Sequence, residues 1–315
     1  MMMGQDLAYI KGVTFGFMTN RGKFADEDAQ DSMRKMVDTT GADTVILAIT
    51  AKQQTAHSED IDFKSEDTPS DDEITWMIQY AKTLGLRVVL KPMVNCNDGT
   101  WRAHINFFDI EVPCEPKWSK WFESYTKFML HYAEIARENA CEMLIIGCEL
   151  VQTQRREIEW RTLIKKIRAV YTGMLTYNTD KYQEGEVAWW DALDVISSSG
   201  YYPINDWDHQ LARIRSIVET FNKPFFFAEV GCMSSEGSSY VPNDWTLGGK
   251  RSLEEQRRYY EVMFEKCEKE AWIKGFGIWD WNTQLYLVEH GVTDPYYAIY
   301  GKPACEVVKA FYTRM

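Results

Sequence analysis

The chain has 315 residues and a formal net charge of −12, which argues against nucleic acid or an anionic membrane as a partner. Its 45% hydrophobic content suffices for a large buried core, and no stretch reaches the ~18 uncharged apolar residues of a membrane span. Seven cysteines, an odd number without metal-ligand spacing, predict a reducing compartment, and the start Met-Met-Met-Gly-Gln-Asp-Leu lacks the pattern of a signal peptide. The sequence therefore predicts a cytoplasmic protein.

Apolar segments alternate along the chain with segments of helical period. The predicted strands are 9–17, 44–49, 86–90, 143–148, 174–177, 195–199, 223–232 and 276–279. The predicted helices are 26–39, 71–84, 117–139, 156–171, 206–221 and 252–272. A last helix begins near Pro303, because proline is favoured in a first turn. Ser70 with Glu73, and Ser252 with Glu255, have the spacing of capping boxes.

Strands that alternate with helices form a parallel sheet, because each return to the sheet crosses through a helix. Eight such repeats predict closure into a (β/α)8 TIM barrel, an α/β fold that forms a single domain over residues 1–315. An open, doubly wound sheet is the alternative. It is weakened because Gly12 and Gly16, the glycines of the first strand, do not make the glycine-rich phosphate turn of such sheets.

Two of the predicted strands carry a single carboxylate after an apolar run, Glu149 after 143–148 and Glu229 within 223–232. In an α/β barrel the functional site is built at the carboxyl ends of the strands. A buried carboxylate is costly unless it is paired or hydrogen-bonded, so these two are candidates for a catalytic pair. We expect them about 5 Å apart across the barrel mouth, the separation used for glycoside hydrolysis with retention.

The other residues near the strand ends are mostly polar or aromatic, and no histidine lies there, which disfavours Ser-His-Asp chemistry. Lys91 contacts a ligand, neutralises a carboxylate or is an ordinary surface lysine. Trp101, with Arg102 and His104, either forms a wall of a cleft or packs in an ordinary loop. The candidates for contact with a ligand are Lys91, Trp101, Asn178, Tyr201, Tyr202, Trp279, Trp281 and Asn282.

Six short motifs stand in order along the chain: Lys11-Gly-Val-Thr-Phe-Gly-Phe17, Ile146-Gly-Cys-Glu-Leu-Val151, Asp194-Val-Ile to Tyr201-Tyr-Pro203, Pro224 to Gly231, Gly275-Phe-Gly-Ile-Trp-Asp280 and Gly301-Lys-Pro-Ala304. With them the chain resembles clan A of the glycoside hydrolases, and more closely family 113, the β-1,4-mannanases. The resemblance implies that Glu149 is the acid/base and Glu229 the nucleophile. It also implies that Trp279 forms the platform beneath the sugar at the cleavage point. Tyr201 or Tyr202 would donate a hydrogen bond to the nucleophile.

One position departs from the pattern of the clan. Most members have Asn immediately before the acid/base, where it binds the sugar 2-hydroxyl. This chain has Cys148 there, and a thiol is a poor hydrogen-bonding group. Asn178 ends the neighbouring predicted strand and is the candidate to bind that hydroxyl instead.

By this resemblance we expect a retaining hydrolase of β-1,4-mannan or manno-oligosaccharides that needs no cofactor and no metal ion. Without a signal peptide, imported oligosaccharides are the expected substrate, and the enzyme is expected to be a monomer. A covalent intermediate would also permit transglycosylation. The alternatives are a related β-glycosidase acting on glucosides or galactosides, and a sugar-binding barrel without catalysis, against which the presence of both glutamates argues.

Overall fold

The computed structural model describes residues 7–315, and the first six residues, which the expectation about a signal peptide concerns, lie outside it. Eight parallel strands pair in sequence order, and the first pairs with the last to close the barrel. The predicted (β/α)8 TIM barrel is therefore confirmed. The strands are β1 (Ile10–Phe15), β2 (Thr44–Gln53), β3 (Arg87–Cys96), β4 (Met143–Cys148), β5 (Met174–Thr179), β6 (Ile196–Ser199), β7 (Phe225–Val230) and β8 (Ile273–Trp281).

Seven α-helices of the described chain surround the strands, and the link from β5 to β6 has none. That link contains two 3-10 turns instead, Glu184–Glu186 and Trp190–Ala192. No helix in the described residues is long and apolar enough to cross a membrane. The helices are α1 (Glu27–Thr40), α2 (Asp71–Thr83), α3 (Trp118–Glu138), α4 (Glu157–Arg168), α5 (Trp207–Phe221), α6 (Leu253–Cys267) and α7 (Pro303–Arg314).

One of the two predicted capping boxes is complete, and the other is half formed. At α2, Ser70 Oγ accepts from the main-chain nitrogen of Glu73 (3.3 Å), and the Glu73 carboxylate accepts from that of Ser70 (2.9 Å). At α6, Ser252 Oγ accepts from the nitrogen of Glu255 (3.2 Å). The Glu255 carboxylate instead accepts from the nitrogen of Ser239 (3.1 Å), which ties the start of α6 to the loop after β7.

Strands β2 and β3 extend well beyond their predicted ends at 49 and 90. Their parallel register continues from Thr44 beside Arg87 to Gln53 beside Cys96. In this extension the two strands pair with each other, and the pairing satisfies their main-chain hydrogen-bonding groups. The polar side chains of these segments therefore lie on strands, although their sequence is typical of a loop. Lys91 consequently lies inside β3 rather than after it, with its side chain in the barrel.

The barrel interior is filled in two layers. The lower layer is apolar and closes the amino-terminal end; it includes Ile10, Ile46, Val89, Met143, Ile145, Val195, Phe226 and Ala228. Above it lie Ala48, Met93 and Cys148, against which Phe17 and Trp279 pack. This upper layer lies toward the carboxyl ends of the strands, where barrels of this fold bind their ligands.

Candidate active site

A break in strand register precedes each of the two glutamates. The β4–β5 register shifts between Ile145 and Cys148, directly before Glu149, and the β6–β7 register shifts just before Glu229. Such irregularities re-aim a side chain at the end of a strand. Glu149 also has φ of 51°, a left-handed conformation uncommon outside glycine, and its main-chain nitrogen donates to the carbonyl of Asn178 (2.8 Å). Both glutamates are buried.

The Glu229 carboxylate accepts three hydrogen bonds. Lys91 Nζ and Cys148 Sγ (3.2 Å) donate to Oε1, and the Tyr201 hydroxyl donates to Oε2 (3.0 Å). Burial by itself raises the pKa of this carboxyl, but the adjacent Lys91 ammonium and the other donors outweigh it, so the pKa of Glu229 is lowered. Glu229 is therefore an ionised carboxylate near neutral pH.

The Glu149 carboxylate has a separate set of partners. Its Oε1 accepts from Ser199 Oγ (2.8 Å), and its Oε2 accepts from Arg102 Nη1 (2.9 Å) and Trp101 Nε1 (3.3 Å). Arg102 is itself buried, and Asn95 Oδ1 accepts from its Nη2 (2.6 Å), which fixes the guanidinium. The loop after β3 thus supplies a cation and an indole to one carboxylate, while β3 itself supplies a cation to the other.

Asn178 joins the two sets of contacts. Its Oδ1 accepts from Lys91 Nζ (2.8 Å), and its Nδ2 donates to Ser199 Oγ (3.0 Å). The two carboxylates are thereby linked through three buried side chains. Both ends of the Asn178 amide are engaged within the protein, so its contacts favour holding Lys91 and Ser199 over binding a sugar hydroxyl.

Two further carboxyls at this end of the barrel have altered acidity. Burial and the charge of Glu149 raise the pKa of Asp180 to about 7. Burial and the charge of Glu229 raise the pKa of Asp280 to about 7. Groups that titrate near neutrality are concentrated at functional sites, because burial and like charges are brought together there.

Indole rings lie beside both carboxylates. Trp279 is half-buried, with its ring 4.7 Å from that of Phe17 and 5.7 Å from Lys91 Nζ. Trp101, the donor to Glu149, lies 6.5 Å from Trp245, a ring that is exposed on the loop after β7. Flat aromatic faces with a polar edge suit ligands that are part apolar and part hydroxylated.

Three of the residues that the sequence put forward lie away from this cluster. Tyr202 is fully buried on the outer side of the barrel, and its hydroxyl donates to Glu184. Trp281 is also buried there, and its Nε1 donates to Ser32 Oγ (3.0 Å). Asn282 is exposed and offers only its main-chain carbonyl to the same serine. The expectation that Tyr202 and Trp281 line the site is therefore corrected: both side chains point to the helices.

The strand pattern does not predict a role for Ser199, and it leaves the role of Arg102 open. Ser199 ends the buried run Ser197–Ser199. Three successive hydroxyl side chains in a buried strand are a sequence signal that could have identified it. No sequence signal identified Arg102, since the path of its loop decides which carboxylate it meets. In residues 7–315 there is no group of three His, Cys, Asp or Glu side chains that could hold a metal ion.

An eight-stranded barrel whose mouth holds two carboxylates in unequal surroundings has the equipment of a glycoside hydrolase, in which one carboxyl protonates the leaving oxygen. The sequence matches Glycoside Hydrolase Family 113 over residues 13–302. The chain belongs to that family, and the resemblance drawn from its motifs is confirmed. No curated protein matches the chain.

Solved structures agree with the family assignment. A GH113 β-1,4-mannanase is 53% identical, with 98% of this chain and 100% of that chain covered and a TM-score of 0.97. The GH113 β-mannanase AaManA from Alicyclobacillus acidocaldarius, in complex with ManMIm, is 41% identical over 99% of both chains, with a TM-score of 0.95. A β-glucuronidase of Ruminococcus gnavus is 13% identical over 97% of this chain and 50% of that chain; its TM-score of 0.64 reflects the shared fold alone.

Proposed function

We propose that this enzyme hydrolyses β-1,4-mannosidic bonds in mannan or manno-oligosaccharides by double displacement. The observation that carries the proposal is the pair Glu149 and Glu229, linked through buried side chains yet surrounded by different partners. Identity of 53% with a GH113 β-1,4-mannanase supports the choice of bond.

In the first step Glu229 attacks the anomeric carbon of the sugar. Its low pKa keeps it ionised, and the Lys91 contact orients one oxygen while Tyr201 orients the other. Glu149 donates its proton to the glycosidic oxygen as the bond from the anomeric carbon to that oxygen breaks. The product is a mannosyl ester of Glu229 with inverted configuration.

In the second step Glu149 acts as a base. It takes a proton from water, the water oxygen attacks the anomeric carbon, and Glu229 leaves as a carboxylate, so the β configuration is restored. A sugar hydroxyl can replace the water, and the product is then a longer oligosaccharide. The enzyme would thus also transglycosylate.

The aromatic residues divide between the two sides of the cleavage point. Trp279 packs beside Lys91, the partner of the nucleophile, and would floor the sugar that is attacked. Trp101 donates to Glu149, which must reach the leaving oxygen, so it and the neighbouring Trp245 would border the leaving sugar. Stacking on such rings orients a sugar without fixing its hydroxyls.

We further propose that the chain acts as one catalytic domain and as a monomer in the cytoplasm, on imported manno-oligosaccharides. The barrel from β1 to α7 takes in nearly all the described residues, which supports one unit. Seven free thiols, six of them buried, fit a reducing compartment. Light scattering on the purified chain tests whether it is a monomer, and fractionation of the producing cells tests whether it is cytoplasmic.

Hydrolysis of mannotetraose by the wild type, Glu149→Ala and Glu229→Ala tests the proposal, with cellotetraose as the competing substrate. We expect the wild type to prefer mannotetraose and each variant to lose about 100-fold or more in kcat. Glu157→Ala, which changes a carboxylate on the surface of α4, is the control and should keep full activity. A preference for cellotetraose would contradict the substrate, and absence of cleavage of any β-linked sugar would favour a binding barrel.

A further inference from the structure

Glu184 is a fully buried carboxylate in the link between β5 and β6, outside the cluster that holds the two catalytic glutamates. Its Oε1 accepts from Ser198 Oγ (2.6 Å) and from the Tyr202 hydroxyl. Its Oε2 accepts from Arg213 Nη2 of α5 (2.7 Å). All of its partners lie on the outer side of the barrel, so Glu184 does not touch the reacting atoms.

Each of the two hydroxyl partners of Glu184 is next in the chain to a residue that contacts a catalytic glutamate. Ser198 precedes Ser199, whose Oγ donates to Glu149 (2.8 Å). Tyr202 follows Tyr201, whose hydroxyl donates to Glu229 (3.0 Å). Successive side chains of an extended segment point to opposite faces, so the outer pair and the inner pair belong to the same short piece of chain.

We propose that Glu184 is a positioning residue for both catalytic carboxylates. It holds the segment 198–202 from outside at two points, and thereby sets Ser199 against Glu149 and Tyr201 against Glu229. This inference rests on the proposed roles of the two glutamates. It gives a function to a buried charge in the one β-to-β link of the described chain that lacks an α-helix.

The main chain of the same segment has an independent support. The Tyr259 hydroxyl of α6 donates to the carbonyls of Gly200 (3.2 Å) and Tyr202 (3.0 Å), and the nitrogen of Gly200 donates to the carbonyl of Glu229 (2.7 Å). Loss of the Glu184 contacts should therefore leave the segment folded while the side chains at 199 and 201 lose their exact orientation. An effect of a Glu184 variant on activity can therefore be attributed to side-chain orientation and not to unfolding of the segment.

A change at Glu184 should alter the pKa of Glu229. The Tyr201 hydroxyl donates to the ionised form of that carboxyl, so weakening this bond raises the pKa of Glu229. The other charged or titratable groups that face Glu229 come from β3, β4, β8 and the loop after β3, and none of them is bonded to Glu184. They are Lys91, Arg102, Cys148 and Asp280.

The test compares Glu184→Gln and Tyr202→Phe with Asp194→Asn. In Glu184→Gln the side-chain amide can no longer accept hydrogen bonds at both ends, so the contacts with Arg213 and the two hydroxyls are disturbed. Tyr202→Phe removes only the contact of the Tyr202 hydroxyl with Glu184. Asp194 is the matched control, because it also pairs with an arginine, Arg168, and accepts from the nitrogen of Leu175 (2.7 Å), but at the bottom of the barrel. Thermal unfolding checks that all three variants are folded.

The first readout is the titration of the Glu229 carboxyl by NMR in protein labelled with ¹³C at glutamate, assigned with Glu229→Gln. We expect the midpoint to rise by about half a pH unit or more in Glu184→Gln and Tyr202→Phe, and to stay in place in Asp194→Asn. An unchanged midpoint in the first two, or an equal rise in all three, would show that Glu184 only stabilises the fold. This readout needs no substrate, so it stands even if mannotetraose is not cleaved.

The second readout is kcat and KM on the β-linked tetrasaccharide that the wild type cleaves fastest. We expect Glu184→Gln to lose about 10-fold or more in kcat with little change in KM, since the loss concerns orientation of the reacting groups. Asp194→Asn should retain the wild-type kcat. A purely structural Glu184 would instead leave kcat unchanged in the folded protein.

Discussion

Lys91 determines the charge state of the nucleophile. Its side chain is fully buried and forms an ion pair with Glu229, while Asn178 accepts a further hydrogen bond from the ammonium. Burying two charges is costly, and the cost is offset only when the remaining donors and acceptors find partners. Here Asn178, Cys148 and Tyr201 provide them, so the pair keeps one carboxylate ionised in a place where burial would protonate it.

We predict that Lys91→Met removes the positive charge and raises the pKa of Glu229. The acidic limb of kcat/KM should move to higher pH, and activity at neutral pH should fall about 100-fold or more, because a protonated carboxyl cannot attack. Loss of one partner of a buried pair should also cost about 3–5 kcal/mol of unfolding free energy. The measurements are a pH profile and urea denaturation.

The control for this prediction is Lys127→Met on the exposed face of α3, where the ammonium pairs with Glu123 in solvent. That exposed pair should contribute little, and the control variant should retain the wild-type pH profile. A Lys91 variant with an unshifted acidic limb would disprove the role given to the ammonium.

At the scale of elements, the link between β5 and β6 stands out because aromatic packing replaces an α-helix. The Trp189 ring stacks on that of Trp160 of α4 (4.7 Å), and its Nε1 donates to the carbonyl of Gln154 (3.1 Å). Both rings are fully buried. The link that carries Glu184 is thus held by tryptophan packing against the neighbouring helix.

We predict that Trp189→Ala lowers the unfolding free energy by about 3–5 kcal/mol, the usual cost of a large cavity in a core. Trp245→Ala is the matched control, because the same side chain is exposed there, and its effect on stability should be under about 0.5 kcal/mol. Urea denaturation measures both. A similar loss in the two variants would mean that the link is not held by its packed tryptophan.

The elements themselves were largely predictable, and their exact register was not. Apolar runs located all eight strands, and a carboxylate after such a run located Glu149 and Glu229. The outer parts of β2 and β3 were missed because polar side chains on paired strands resemble a loop. The choice between Tyr201 and Tyr202 depends on which face the chain presents after β6, and adjacent positions always face opposite ways. Sequence alone therefore left both open.

At the scale of the whole molecule, closure of the barrel brings to one rim residues that are 80 positions apart in the chain, Glu149 and Glu229. The carboxyls gathered at this rim make the stability of the protein depend on pH. Glu229, with a lowered pKa, contributes stability that is present above its unfolded pKa of about 4.3 and is lost as the pH falls through the lowered value. Asp180, with a raised pKa, has the opposite effect.

We predict that Asp180→Asn stabilises the protein more at pH 8 than at pH 4. Between the unfolded pKa of about 3.9 and the folded pKa of about 7, the folded state holds a proton that the unfolded state has lost, so rising pH destabilises the wild type. The shift limits the gain to about 4 kcal/mol, at about 1.4 kcal/mol for each pKa unit. Urea denaturation at the two pH values measures it.

The exposed Asp38 of α1 provides the control as Asp38→Asn, which should show the same small effect at both pH values. An Asp180→Asn variant whose effect on unfolding free energy is equal at pH 4 and pH 8 would contradict the raised pKa. The burial of Asp180 would then cost the folded protein less free energy than the raised pKa implies.

The proposed double displacement requires Glu229 to be the nucleophile. The configuration of the product that Glu229→Ala forms in azide is the decisive test of that role. With the carboxylate removed, azide should attack the anomeric carbon in its place, with Glu149 still protonating the leaving oxygen. NMR of the reaction with mannotetraose should show recovered cleavage and an α-mannosyl azide. A β-mannosyl azide from this variant, or formation of the α-azide by Glu149→Ala instead, would contradict the assignment of the two roles.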